Sequence, residues 1–353
     1  MTIKDIARAA GVSAATVSLV LNGKGEISGA TRARVLEVVS SLNYMPRPTR
    51  ARSSETVSDT LRFLKIAKHG HTVNRDHSSF ISDYIDGMSQ EATRRGYTLE
   101  VVSHEREPIA GIAQSLVGSA IKGVVALGTE LSEADIRVIQ GTGIPTVFID
   151  TFHEVIDANF VDMNNEDAVH QVLSRFQSLG FRDIGFVASP VETTNFKLRR
   201  DAYYKNMDRL GLTVDEKSMI WVESTVDGAH EATLAHLASG GRLAACYFCT
   251  NDIIAYGFIK ALREKNIRIP GDVSIIGFDN LPMSATMEPP LTTVDVSKRK
   301  IGYLAITILD DLIKASGNQP PVKIMVGGDV MVRASDRTAS GNDGIKQTEM
   351  CIR

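Results

Sequence analysis

A chain of 353 residues, 43% hydrophobic and 23% charged, is ordinary for a globular protein but too long for one small domain. It has no run of ~18 apolar residues, and its N-terminus is a polar helical pattern without a signal-peptide apolar core, so neither a membrane span nor export is expected and the cytoplasm is the expected compartment. The net charge of −3 divides unevenly: residues 1–52 hold eight basic against three acidic side chains, which leaves −8 for the rest, a distribution expected when only the head meets a polyanion.

In chain order, "TIKDIARAAGVSAATVSLVLNG" holds two short helical patterns around Gly11. Thr2 can cap the first, with Asp5 completing a capping box. Ile3, Ile6, Ala7 and Ala10 then form one apolar stripe. Gly11 supplies a left-handed residue that ends the helix, Val12 plugs the corner, and Ser13 caps a second helix bearing Val17, Val20 and Leu21. A third helix follows in "SGATRARVLEVVSSLNY", capped by Ser28, with Val35, Val38, Val39 and Leu42 closing a three-helix core. Two helices joined by so short a turn are either a plain helical hairpin or a helix-turn-helix. The basic charge and third helix favour DNA binding.

On "IKDIARAAGVSAATVSLVLNG" and "TRARVLEVVSSLNYMP", the chain resembles the LacI/GalR family of bacterial transcription regulators. The resemblance implies that the second helix enters the major groove, with Ala14, Ala15, Ser18 and Leu19 facing base edges. Of these only Ser18 hydrogen-bonds a base; Ala and Leu touch thymine methyls. Ser13, Thr16, Arg32 and the helix N-termini are then expected on phosphates, and Thr2 and Asn22 complete the DNA-facing set.

The linker "PRPTRARSSETVSDT" departs from the family pattern, in which a hinge helix wedges a Leu into the minor groove. Pro48 stands where helix should begin, and Ser53 near the place expected for the Leu. A disordered linker is one reading. Arg47, Arg50 and Arg52 entering a narrow minor groove is another.

From about residue 60, strand-like runs ("LRFLKIA", "YTLEVVS", "KGVVALG", "PTVFID", "DIGFVAS", "MIWVE", "AACYFCT", "DVSIIGFD") alternate with helical stretches. That alternation predicts parallel sheets covered by helices on both faces, in two doubly wound lobes. Cys246 and Cys249 form a C-x-x-C inside the seventh run, where strand spacing sends them to opposite faces, and Cys351 is the third and last cysteine; no disulfide framework is implied.

The resemblance continues over "FRDIGFVASP", "TNDIIAYGFIKALREKNIRIPGDVSIIGFDN" and "PPLTTVDVSKRKIGYLAITIL". It implies a periplasmic-binding-protein-like body crossed three times by the chain. The expected organisation is an all-α helix-turn-helix head (1–46), a hinge linker (47–59), and an effector-binding α/β body (60–337). Within the body the N-lobe is expected at about 60–157 plus 290–317 and the C-lobe at about 158–289 plus 318–337. Residues 338–353 lack apolar periodicity and are expected to be disordered.

Ligands in such sheets bind beyond the carboxyl ends of strands, which draws attention to Lys68, His69, His104, Thr129, Glu130, Asp150, Glu223, Asn251, Asp252 and Asp279. The family correspondence singles out Arg199, Asn251 and Asp279 as effector contacts, with Asp150. An Arg fork, carboxylates and an amide suit the donors and acceptors of a sugar. Each also has a plain structural role: Asn251 can cap a helix and Asp279 a turn before Asn280. Phe80, Phe196 and Phe278 are core residues or stacking platforms.

The loop "KHGHTVNRDH", residues 68–77, holds three histidines beside Asp76. Two functions compete for it. In the first the chain is a metal-dependent hydrolase fused to a DNA-binding head, with His69, His71 and His77 as ligands. No H-E-x-x-H, phosphate loop or G-x-S-x-G accompanies them. In the second it is an effector-recognition loop, contributing His69 and His77 to a set with Phe80, Thr129, Asp150, Arg199, Asn251 and Asp279. The expectation adopted is a non-enzymatic, cofactor-free regulator, with repression as the expected sign. It binds a pseudo-palindromic operator as a homodimer, controlled by a small-molecule effector for which a carbohydrate, a sugar or sugar acid, is the expected class and a purine the alternative.

Overall fold

The computed structural model describes residues 3–21, 27–41, 59–68, 78–191, 193–315, 317 and 319–337. They fall into two compact units, divided between Thr56 and Val57. Expectations for Thr2, Asn22, Leu42, Arg47, Arg50, the linker up to residue 58, the loop 69–77 and the tail 338–353 lie outside the described residues.

The first unit contains α1 (Ile3–Ala10), α2 (Ala14–Leu21) and α3 (Gly29–Ser41). Ile6, Ala7 and Ala10 pack on Val17, Val20 and Val35 as one small core, with Val12, Val38 and Val39 at its edge. Gly11 turns the chain at φ 64°, and the Val12 amide reaches back to the Ala7 carbonyl at 3.0 Å, a Schellman-type close. Ser13 Oγ accepts from the Thr16 amide at 3.0 Å and Ser28 Oγ from the Thr31 amide at 3.3 Å. Both caps sit where the sequence pattern put them.

Among its described residues, the second unit contains twelve strands. The first six are β1 (Thr60–Ala67), β2 (Thr98–Glu105), β3 (Gly123–Leu127), β4 (Thr146–Ile149), β5 (Asn159–Met163) and β6 (Ile184–Ala188). The others are β7 (Met219–Trp221), β8 (Cys246–Cys249), β9 (Ser274–Ile276), β10 (Thr293–Val296), β11 (Lys323–Val326) and β12 (Gly328–Met331). Two parallel sheets result, ordered β11-β5-β4-β3-β1-β2 and β7-β6-β8-β9, joined by an antiparallel ribbon of β10 and β12. β3, β4, β6 and β8 are buried along their whole length, as strands covered on both faces must be.

Helices α4 (Ser78–Arg94), α5 (Ile109–Leu116), α6 (Glu133–Gln140), α7 (Asn165–Ser178), α8 (Thr194–Arg209), α9 (Val226–Ala238), α10 (Asp252–Glu264) and α11 (Lys298–Lys314) provide that cover. α4 and α11 approach backbone to backbone. A Cβ on Gly87 would stand 2.1 Å from the Arg299 carbonyl oxygen, and one on Gly302 2.3 Å from that of Tyr84. No helix among the described residues is long and apolar enough to cross a membrane.

The expected lobe limits need correction. β5 pairs with β4, and β11 with β5, so residues 159–163 and 323–326 belong to the first lobe's sheet rather than the second. The chain therefore passes between lobes just after Met163, through 290–297, and between Val326 and Gly328. Neither strand reads as an apolar run, because "NFVDM" carries a carboxylate and "KIMV" lies partly exposed at the sheet edge. Cys246 and Cys249 are free and buried, and burial pushes both thiols well above their ordinary range. They are core residues of a strand.

Candidate functional site

In the head, Ser13 and Ala14 are exposed at the start of α2, Thr16 is half-buried, and Arg32 is half-buried on α3. Ser13 Oγ also lies 2.8 Å from Thr16 Oγ1, so the two expected phosphate contacts are already held together. Ala15, Ser18 and Leu19 lie on α2, but their side chains fall outside the described residues.

In the body, the carboxyl ends of strands from both sheets meet at one polar cluster. Arg199, on α8, is its hub. Its Nε donates to Asn165 Oδ1 at 3.1 Å and its Nη1 to the Thr250 carbonyl at 2.8 Å. Nη2 lies 3.3 Å from Asp279 Oδ1, and the guanidinium stacks 3.8 Å from the Phe278 ring centre. Arg199, Asn251 and Asp279, together with Asp150 from the first lobe, are thus in one constellation or beside it. All four are at most 6% exposed, so this conformation is closed over them.

Asp150 follows β4 and is held from three sides. Tyr84 Oη donates to Oδ1 at 2.9 Å, Asn195 Nδ2 donates to the same oxygen at 2.9 Å, and Thr129 Oγ1 donates to Oδ2. Because Asn195 belongs to α8, this is a bond from one lobe to the other. Asn195 Oδ1 in turn accepts from Asn165 Nδ2 at 3.0 Å, which links Asp150 to Arg199 through two amides. Asp150 and Asp279 both occupy the left-handed region, at φ 58° and 114°. Such strain in non-glycine residues concentrates at binding sites.

Phe80 meets Tyr84 edge to face at 5.1 Å and carries the Lys298 ammonium 5.2 Å over its ring. Lys298 Nζ also donates to the Asp279 carbonyl at 2.7 Å. Asn251 caps α10, accepting from the Ile254 amide at 2.9 Å; its structural role is realised, and an effector contact would be additional. Of the other strand-end residues, Lys68 pairs with Asp135 at 2.5 Å and His104 with Glu107 at 3.0 Å. Asp252 accepts from the Leu281 amide, Ser284 and Thr293. His69 and His77 lie outside the described residues. Among the described residues no group of three or more His, Cys, Asp or Glu side chains could hold a metal ion.

The sequence reading missed Asp162, Asn165, Asn195, Tyr84 and Lys298. Asp162 had a signal, a carboxylate inside the apolar stretch "NFVDM". The register pairs Ile149 with Val161, so one residue further on Asp150 stands level with Asp162. Asp162 is fully buried, and among the described residues neither carboxylate oxygen has a hydrogen-bond partner. Burial, then the neighbouring Asp150, push its carboxyl well above the carboxylate range. Burial also raises Asp150, against the opposing pull of Thr129, Tyr84 and Arg199. Tyr84 and Lys298 carried no local signal, since only the packing of α4 and α11 brings them here.

Two family models match the chain: bacterial regulatory proteins of the lacI family over residues 2–47, and a periplasmic binding protein-like domain over residues 173–335. The HTH-type transcriptional repressor PurR of Haemophilus influenzae is 28% identical over 344 residues, 95% of this chain and 98% of that protein. Among solved structures, a transcriptional regulator CelR–cellobiose complex has a TM-score of 0.71 at 23% identity, covering 95% of this chain and 99% of the other. The lac repressor dimer bound to operator and the anti-inducer ONPF has a TM-score of 0.70 at 21% identity, covering 95% and 98%. These structural neighbours establish the fold, and the named relatives are transcriptional regulators rather than enzymes.

Proposed function

We propose, from the premise that this chain belongs to the lacI family of bacterial regulatory proteins, that it is an operator-binding repressor controlled by a polyhydroxylated, carbohydrate-type effector held between its lobes. It acts in the cytoplasm as a homodimer and catalyses no reaction. The observation that carries the effector half is the convergence of Arg199, from α8, with Asp279 and Asp150, which follow strands of the two sheets. Such a cluster offers donors and acceptors in alternation to a ring of hydroxyls.

The mechanism follows from the connections. Three segments join the lobes, and Asn195 bonds Asp150 across them. A ligand that inserts between these groups replaces lobe-to-lobe bonds with its own and so biases the lobes' relative orientation. In a two-fold dimer that changes how two α2 helices meet two half-sites, and thereby operator affinity. Ser13, Thr16 and Arg32 position each head on phosphates, while Ala14, Ala15, Ser18 and Leu19 face bases. Thr2, Asn22, Arg47 and Arg50 belong to the same DNA interface, and His69, His77, Phe80, Thr129 and Asn251 to the effector wall.

The test is a thermal-shift screen over carbohydrates with the full chain, repeated on Asp279→Asn and Arg199→Lys, alongside operator binding by anisotropy. A cleft ligand stabilises by mass action, and both variants should lose most of the shift and of the change in operator affinity. A ligand whose shift survives in both variants binds elsewhere and overturns the assignment.

A further inference from the structure

Among the described residues, Asp162 is the carboxylate of the cleft with neither oxygen served by the protein. Both oxygens are buried without a hydrogen-bond partner, although two cations stand nearby. Arg199 directs Nε to Asn165, Nη1 to the Thr250 carbonyl and Nη2 to Met163 Sδ and Asp279. Lys298 is spent on the Asp279 carbonyl and the face of Phe80. Asp150, level with Asp162 on the next strand, has its donors from Tyr84, Thr129 and Asn195. Burial and then Asp150 raise the Asp162 carboxyl, and the Met163 amide, Arg199 and the Asn195 side chain oppose that only in part, none of them in hydrogen-bond geometry with its oxygens. A buried acceptor left without donors is costly and rare.

The missing partner is definable by its chemistry. It must bring several donors to two adjacent carboxyl groups, and it meets three acidic side chains, Asp150, Asp162 and Asp279, against two cations already engaged by protein groups. Burial raises Asp162 and Asp150, and a cation seated beside them favours the ionised form of both. A sugar hydroxyl brings one donor and no charge. An ammonium brings three donors and a positive charge. An anionic sugar brings the wrong charge and is rejected.

We propose that the effector carries a protonated amine, received by Asp162 beside Asp150, on its polyhydroxylated body. The inference rests on the effector reading above. Its consequence is selectivity: between molecules alike except for the amine, the amine-bearing one binds tighter, by roughly tenfold or more for a desolvated charge-assisted contact.

The experiment titrates the full-length protein by calorimetry and thermal shift with matched probes. These are glucosamine, glucose, N-acetylglucosamine and glucuronate, the galactose equivalents, and spermidine as an amine without a sugar ring. The expected order places the free amines first and the uronates last. In Asp162→Asn the preference for amine over neutral sugar should disappear while neutral-sugar binding persists, and the unliganded variant should melt higher because an unpartnered buried carboxylate is gone. Neutral sugars binding as well as their amines, or a preference that survives in Asp162→Asn, overturns the inference and leaves the carbohydrate reading standing. Spermidine binding with no sugar binding overturns the carbohydrate reading and the inference with it, since the amine would then sit on no polyhydroxylated body. If no probe binds, both fail. Should Asp162→Asn not fold, the wild-type order across matched pairs decides alone.

Discussion

At the residue scale, Asp252 shows how the cleft's surroundings hold charge. It opens α10, is fully buried, and accepts from the Leu281 amide at 2.8 Å, Ser284 Oγ at 2.6 Å and Thr293 Oγ1 at 2.5 Å. Burial, then the nearby Asp279, raise its pKa from 3.8 to about 7. Between those values the unfolded chain has released a proton that the folded chain keeps, so stability falls as pH rises from about 4 to about 7. A rise of that size corresponds to roughly 4 kcal/mol lost across the window. Asp252→Asn carries no titrating proton, so it should gain on the wild type as pH rises, and chemical denaturation at several pH values measures this. Parallel stability curves for the two proteins would refute it. A sequence alone marks Asp252 as the residue after a helix cap; only the fold reveals that it is desolvated.

At the element scale, the pair α4 and α11 couples packing to the site. Their backbones approach at Gly87 and Gly302, where an added Cβ would meet a carbonyl oxygen at 2.1 and 2.3 Å. A backbone carbonyl cannot step aside as a flexible side chain can, so Gly87→Ala and Gly302→Ala must push the helices apart, at a cost of about 2–3 kcal/mol each. Because α4 carries Tyr84 to Asp150 and α11 carries Lys298 to Asp279, both variants should also weaken effector response. Equilibrium denaturation and the effector thermal shift together test this, and unchanged stability in both variants would sink it. Most elements were legible because their pattern is local: the caps at Ser13 and Ser28, the turn at Gly11, and the eight apolar strand runs all declare themselves within a few residues. What escaped depends on distant chain. β5 and β11 are completed by sheet neighbours from elsewhere in the sequence, and their misplacement shifted the expected lobe limits. Asp162 escaped with them, since a carboxylate in an unrecognised strand cannot be counted as a strand-end residue. Asn251, Asp279 and Asp150 were expected because each follows a strand that was recognised, and Arg199 because the family resemblance implied it; the fold brings Arg199 to Asp279.

At the scale of the whole molecule, the division of charge decides how the chain meets DNA. The total of −3 would predict repulsion from a polyanion, whereas residues 1–52 alone carry +5. Screening settles which matters. At physiological salt the Debye length is about 8 Å, so phosphates feel the side chains that touch them and little of an acidic body beyond that distance. If Ala14, Ala15, Ser18 and Leu19 face the bases as proposed, only Ser18 can hydrogen-bond one and base readout is lean, so the counterions released by basic side chains supply much of the affinity. If each of two heads neutralises about three phosphates, the logarithm of the operator association constant should fall with that of salt at a slope of roughly −5. Fluorescence anisotropy on a labelled operator, from about 50 to about 200 mM salt, gives this slope directly. A flat dependence would mean that direct base contacts carry the binding. Affinity that rises with salt would mean that the acidic body, not the basic head, governs the encounter. Effector binding should displace the line while leaving its slope nearly unchanged as long as both heads remain engaged. A slope halved by effector would mean that one head has left its half-site.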